Sequence, residues 1–332
     1  MQTRKLWRDG PAVGCVGYGA MSFSDIYGAT NEAESHAILD ACRDLGVTYI
    51  DSANIYGMGK SENAIGSYLR ANPSARDEFV IATKASITSD ANGNRVIDNS
   101  ADYLEAELDK SLERLGLDCV DLFYAHRQNP ETTPEETAAN LGGLVEKGKT
   151  KAIGLSEIAP TTLRRAHAVY PIGAVQCEYS LSTRAPDLGL VQACSELNVT
   201  FVAFSPVGRS LLTDNPIPME RIAEIPFLAM NPRFIEPNYS ANISQLQQFR
   251  ALAAELNTNA AALAIAWLLT RGDHVIPIPG SRSVARFKEC VDGADLQLST
   301  DDLKRIEETL PVGWAHGDRY SETQWFGPQR FC

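Results

Sequence analysis

Residues 47–57, VTYIDSANIYG, run from a β-branched apolar stretch into an aspartate, a small polar turn and a tyrosine. The first half has the composition of a buried strand. It nevertheless delivers Asp51 to the strand end and Tyr56 five positions further on, and neither side chain favours a core. Taken alone, Asp51 reads as a helix cap and Tyr56 as part of a surface turn. The stretch gains meaning because its pattern recurs along the chain.

Short apolar runs alternate with longer segments of helical period. The runs are CVGYGA (15–20), VTYIDS (47–52), EFVIATKA (78–85), CVDLFYAH (119–126), TKAIGLS (150–156), GAVQCEY (173–179), VTFVAFSP (199–206) and HVIPIPG (274–280). Between them lie helical patterns such as NEAESHAILDACRDLG (31–46), with Asn31 as cap and Gly46 as stop, and SENAIGSYLRA (61–71), with Ser61 as cap. Runs that are apolar on both faces belong in a parallel sheet covered on both sides. Eight such units fit either an open doubly wound sheet or a closed barrel.

The unusual polar residues favour the barrel. Asp51, Lys84, His126, Ser156, Gln176 and Ser205 all sit at the C-terminal ends of the runs, and in a barrel those ends meet on one face. No internal repeat or boundary divides the chain, so a single domain over residues 1–332 is expected. Residues 207–240 form the one long irregular stretch, with five prolines, and a loop of that length inside a compact fold marks a lid or binding loop. The polar residues 87–99 read as a second surface loop.

Composition narrows the function. The chain has 332 residues, 44% hydrophobic and 22% charged, ordinary for a globular protein with a large core. Its net charge of −12, without any Lys/Arg run, argues against a nucleic-acid partner. Seven scattered cysteines show no metal or disulfide spacing, and with five scattered histidines no metal site is expected. The start, MQTRKLWRDG, lacks a signal-peptide apolar stretch and no window approaches a membrane span, so a reducing cytoplasm is the expected compartment.

Four residues then combine into one device. Lys84 ends an apolar run, where a lysine requires an anion, and Asp51 on the neighbouring strand supplies it. A cation beside Tyr56 is expected to lower its phenol toward a useful range, so that Tyr56 donates a proton near neutral pH. His126, at the next strand end, is placed to polarise or orient a carbonyl oxygen. Such a set protonates oxygen but supplies no hydride, which implies a nicotinamide cofactor.

These motifs resemble those of the aldo-keto reductases across essentially the whole chain: GVTYIDSANIYGMGKSENAIGSYL, FVIATK, VDLFYAH and PIPGSRSVARFKEC, in order. The resemblance implies a (β/α)8 TIM barrel with an N-terminal β-hairpin, here residues 3–14 turning at RDGP, and with long cofactor- and substrate-binding loops. It implies Tyr56 as general acid, tuned by Lys84 and Asp51, with His126 at the carbonyl. Ser156, Glu157 and Gln176 would hold a nicotinamide carboxamide and Phe204 would stack on its ring. Many relatives carry asparagine where this chain has Glu157, a variant similar to that of bacterial relatives near the pyridoxal reductase branch.

Ser205, Val207, Gly208 and Arg209 would cradle a pyrophosphate, and Gly280 opens the C-terminal cofactor segment. Ser281, Arg282 and Arg286 would take a 2′-phosphate, favouring NADPH over NADH. Glu289 would reach the adenine, although its usual neighbour asparagine is Cys290 here. Met21, Gln128 and Trp325, the last in the tail 311–332, are the candidate substrate contacts, and the small residues Met21 and Ser182 imply a roomy pocket. The implied activity is NADPH-dependent reduction of an aldehyde or ketone. A nicotinamide-binding regulatory or sensor subunit and a phosphate-binding barrel lyase or isomerase are the alternatives. GYGAM (17–21) lacks the dinucleotide-fold glycine spacing, and GLSE is no hydrolase elbow.

Overall fold

The computed structural model describes residues 1–330 and 332. Strands β1 (Thr3–Lys5) and β2 (Ala12–Gly14) form an antiparallel hairpin with Thr3 opposite Gly14. The strands that follow are β3 (Tyr18–Gly19), β4 (Tyr49–Asp51), β5 (Val80–Ala85), β6 (Ile87–Ser89), β7 (Arg95–Ile97), β8 (Val120–Ala125), β9 (Thr150–Ser156), β10 (Ile172–Glu178), β11 (Thr200–Phe204) and β12 (Val275–Pro277). Eight of them, β3-β4-β5-β8-β9-β10-β11-β12, lie side by side in chain order, and every pairing is parallel. Helices connect them, as the hydrophobic runs predicted.

The sheet closes on itself. Gly17 N–H donates to Pro277 O at 2.9 Å and Gly19 N–H to Pro279 O at 3.2 Å, joining the first barrel strand to the segment of the last. A Cβ at position 280 would lie 2.5 Å from the Gly19 carbonyl oxygen, so a glycine is needed for the two ends to meet. The result is the (β/α)8 barrel expected from the strand–helix count.

Two apolar layers hold it. Inside the barrel Tyr49, Ala82, Leu122, Tyr124, Ala174, Val202 and Ile276 pack together above Leu6 and Val13 of the hairpin, which plugs the floor. Outside, Ile50, Ile81, Phe123, Leu155, Val175 and Phe201 face the helices. Truncating one such fully buried leucine to alanine costs about 2–5 kcal/mol. The alternation has a consequence for the rim. Because side chains alternate along a strand, the residue two past an interior one also points inward. Asp51 follows Tyr49, Lys84 follows Ala82, His126 follows Tyr124 and Gln176 follows Ala174. The floor of the active face is thus set by the parity of the core.

Local chemistry agrees with most helix ends. Asn31 and Glu34 form a capping box ahead of the helix Glu32–Leu45, and Gly46 ends it in the left-handed conformation at φ 72°. Ser61 is a correction. The helix Lys60–Ala71 starts one residue earlier, behind Gly59, and buried Ser61 instead bonds Ser52 Oγ at 2.8 Å and the Ala20 carbonyl at 2.9 Å.

Residues 87–99 are not an irregular loop but an antiparallel ribbon, β6 on β7, with Ile87 opposite Ile97. The stretch 207–240 contains the short helices Met219–Ile222 and Pro226–Ala229, and from Asn238 it already belongs to the helix Asn238–Glu255. Among the described residues no single helix is long and apolar enough to cross a membrane.

Candidate active site

Lys84 and Asp51 make a buried ion pair from adjacent strands, and Lys84 Nζ also donates to the Ser52 carbonyl at 2.6 Å. Asp51 Oδ2 accepts from Tyr49 Oη at 3.2 Å and from Gln176 Nε2 at 2.8 Å. Both carboxylate oxygens are therefore occupied, as burial demands. Burial pushes the Lys84 ammonium down, and Asp51 opposes it.

The turn after β4 brings half-buried Tyr56 over this pair. Lys84 Nζ lies 5.2 Å from the centre of its ring, and the His126 ring meets it edge-on at 5.8 Å. Among the described residues the phenol hydroxyl has no hydrogen-bond partner, and it opens onto a cavity of about 940 Å³. The expected lowering of the Tyr56 phenol is not what the surroundings produce. Burial first, and the Asp51 charge second, push it up, with Arg127 opposing. Loss of water around the phenol outweighs the one opposing cation. Tyr56 is accordingly a protonated group at neutral pH.

His126 is pushed well below its ordinary value, by burial and then by the cations of Arg127, Lys84 and Arg95. It is a neutral imidazole at pH 7, and its Nδ1 is buried without a partner among the described residues.

The cavity is lined by Asp51, Tyr56 and His126, with Lys84 buried behind them, and by Ser156, Gln176, Phe204, Ser205, Val207, Arg209, Gly280, Ser281, Arg282, Arg286 and Glu289, with Met21 on its wall. Three expectations fail here. Glu157 lies one position past inward-facing Ser156, so parity turns it away from the cavity, and its carboxylate accepts from Glu178 N–H at 3.0 Å and from Arg319 Nη1 at 2.7 Å. Gln128 is buried in its own turn, its amide donating to the Asn129 and Thr132 carbonyls at 3.0 and 2.7 Å, and it does not reach the cavity. Trp325 packs outside the cavity on Tyr320 and Arg330, and Tyr320 is the tail residue that lines it. Gly208, expected at the pyrophosphate, and Ser182 are likewise buried behind the lining.

Comparison with known proteins converges on one family. Residues 15–311 match the Aldo/keto reductase family. The chain belongs to that family. It is 37% identical over 322 residues to "Aldo-keto reductase yakc [NADP(+)]" of Schizosaccharomyces pombe, covering 96% of this chain and 94% of the relative. It is 35% identical over 321 residues to "Probable aldo-keto reductase 1" of Glycine max, covering 96% and 92%. The fold is that of a glycerol dehydrogenase from Gluconobacter oxydans, at TM-score 0.80 and 24% identity over 93% of this chain and 94% of the other.

Sequence reasoning missed a buried charge network in this aldo/keto reductase. Glu178, two residues past Gln176 and so also inward, accepts from Arg209 Nη2 at 2.6 Å and, from the tail side, lies 3.8 Å from Arg319. Arg233 completes the set at 3.4 Å. Burial alone would raise the Glu178 carboxyl, but the three arginines override it and hold it below its ordinary range. The network ties the 207–240 stretch and the C-terminal tail of this aldo/keto reductase to the end of β10. Continuing the strand alternation past Gln176 would have found Glu178.

Glu157, Cys177 and Cys332 bring ligand-type atoms within 4.8 Å of one another. The cation there is arginine: Arg319 donates to both Glu157 and Cys332 Sγ. Arg127, directly after His126, was likewise missed, since a strand-end arginine in sequence reads as a surface residue.

Proposed function

We propose that this chain reduces an aldehyde or ketone to the alcohol, with NADPH as reductant and Tyr56 as proton donor. The observation that carries this is the unpartnered Tyr56 hydroxyl, facing the cavity beside a buried Lys84–Asp51 pair and a neutral His126. A general acid must hold its proton until the substrate oxygen gains charge, and the raised phenol does so.

The cavity fits a nicotinamide dinucleotide. It is long, and Gly19 and Gly280 meet beside it so closely that neither accommodates a side chain. On the C-terminal segment its lining offers Arg282 and Arg286, a cationic pair suited to a phosphate. Ser156 and Gln176 would flank the nicotinamide, Phe204 would pack on its face, and Ser205, Val207 and Arg209 would line the pyrophosphate stretch. NADPH, when bound, supplies the hydride. Tyr56 gives its proton to the carbonyl oxygen as charge develops there. His126, neutral, orients that oxygen, and Lys84, fixed by Asp51, then favours the tyrosinate left behind. Ile217, Ile225 and Phe227 of the 207–240 stretch wall the cavity and would limit water at the transfer.

The direct test is to mix the protein with NADPH and a panel of aldehydes, diketones and cyclic ketones and follow cofactor oxidation. Substrate-dependent turnover supports the reading. Tight NADPH binding without turnover on any carbonyl would leave only a binding role, and no NADPH binding would overturn it.

A further inference from the structure

Several charges at the cavity are already matched. Asp51 holds Lys84, Arg114 donates to Glu62 at 2.5 Å, Arg209 to Glu178 at 2.6 Å, and Glu107 accepts from Lys110 at 2.7 Å. At the Tyr56 end two cations stand apart. Arg127 and Arg95 line the cavity, and among the described residues neither forms an ion pair.

Arg127 is only 8% exposed. Its Nη1 donates to the His126 carbonyl at 2.6 Å and to Ser156 Oγ at 3.3 Å, while its Nε is buried with no partner. The backbone fixes it there: its N–H donates to Ser86 Oγ at 2.9 Å, and its carbonyl accepts from Asn99 Nδ2 at 3.0 Å. Arg95 projects from β7, opposite Ser89, on the ribbon that walls the cavity. Arg95 reaches solvent, and partial burial and the nearby Arg127 both disfavour its charged form. The Arg127 guanidinium, held in a buried site without an anion, costs several kcal/mol. The fold keeps this arrangement beside the reacting groups, where a substrate anion would relieve it.

We propose that Arg127 and Arg95 bind a carboxylate of the substrate, so that the preferred substrates are aldehydes or ketones that carry an acid group. The inference rests on the reductase reading above and narrows its substrate class. The cofactor's phosphates have a separate cationic pair on the cavity lining, Arg282 and Arg286. Arg127 sets the carboxylate near the carbonyl that His126 orients, and Arg95 closes on it from the ribbon side.

The test compares 4-formylbenzoate with 4-formylbenzamide, which differ in charge but little in shape, and the same pair substituted at the 3-position. With NADPH saturating, kcat/KM for at least one acid is expected to exceed that of its amide by about tenfold or more, mostly through KM, and the advantage should shrink as salt is added. In Arg95→Gln and in Arg127→Gln the acid-to-amide ratio should fall toward one, while the amide rate reports whether the tetrad still functions. Wild-type protein that turns over the amides as well as the acids overturns the proposal and leaves the reductase reading intact. Loss of turnover on every aldehyde would instead count against the reductase reading. A variant that keeps the full acid preference also overturns the proposal.

Discussion

Gln176 on β10 donates to Asp51 on β4 at 2.8 Å, taking one carboxylate oxygen while Lys84 takes the other. The contact crosses the barrel mouth, so the charge beside Tyr56 is fixed by strands from opposite walls. Lys84→Met would leave Asp51 buried and uncompensated, and the expected cost is about 3–5 kcal/mol of unfolding free energy. Adding Asp51→Asn should recover much of that loss without recovering turnover. Urea denaturation with parallel NADPH-oxidation assays checks both halves.

Glu157 gives a sharper distinction. If its carboxylate served the cofactor, Glu157→Gln would raise KM for NADPH. The pairing with Arg319 at 2.7 Å predicts instead a stability loss of roughly 3–5 kcal/mol in Arg319→Met, and a smaller one in Glu157→Gln, with cofactor KM changed little. Thermal melts and cofactor titrations of the two variants decide it.

The cationic end of the cavity predicts cofactor choice. Arg282→Ala removes a charge-assisted contact worth about 1.5–3 kcal/mol to a phosphate, so KM for NADPH should rise tenfold or more while KM for NADH changes little. Equal effects on both cofactors would remove the phosphate assignment.

Acid stability follows from the histidines. His126 is held well below its ordinary value, and burial also lowers His167 and His274. An unfolded chain takes up protons on these groups near pH ~6.5, where the folded chain does not, so stability is present above that pH and is lost as pH falls below it. Glu178, also lowered, adds its own loss only at more acid pH, below the ordinary carboxylate range. Unfolding free energy measured between neutral pH and pH ~5 should therefore decline, and His126→Gln should flatten the decline.

Much of this was legible in the sequence, for one physical reason. Buried parallel strands tolerate polar groups only where they emerge, so Asp51, Lys84, His126 and Gln176 stood out at the ends of apolar runs. The cofactor-end arginines were legible as a local cluster. What escaped depended on partners remote in sequence. Glu157 looked like a cofactor contact until Arg319, far along the chain, was seen to claim it. The Tyr56 phenol was misjudged because burial, which depends on the folded surroundings, and the Asp51 charge push it up. Gln128 was placed by its nearness to His126 and Trp325 by its place in the tail, and side-chain direction sent both elsewhere.

The central claim is that Tyr56 protonates the substrate carbonyl, and its removal tests that most directly. Tyr56→Phe deletes only a hydroxyl that bonds nothing in the protein, so the fold and NADPH binding should be retained. Single-turnover NADPH oxidation with the best aldehyde should then slow by about 10²–10⁴. A Tyr56→Phe protein that binds NADPH and oxidises it at the wild-type rate would contradict the account.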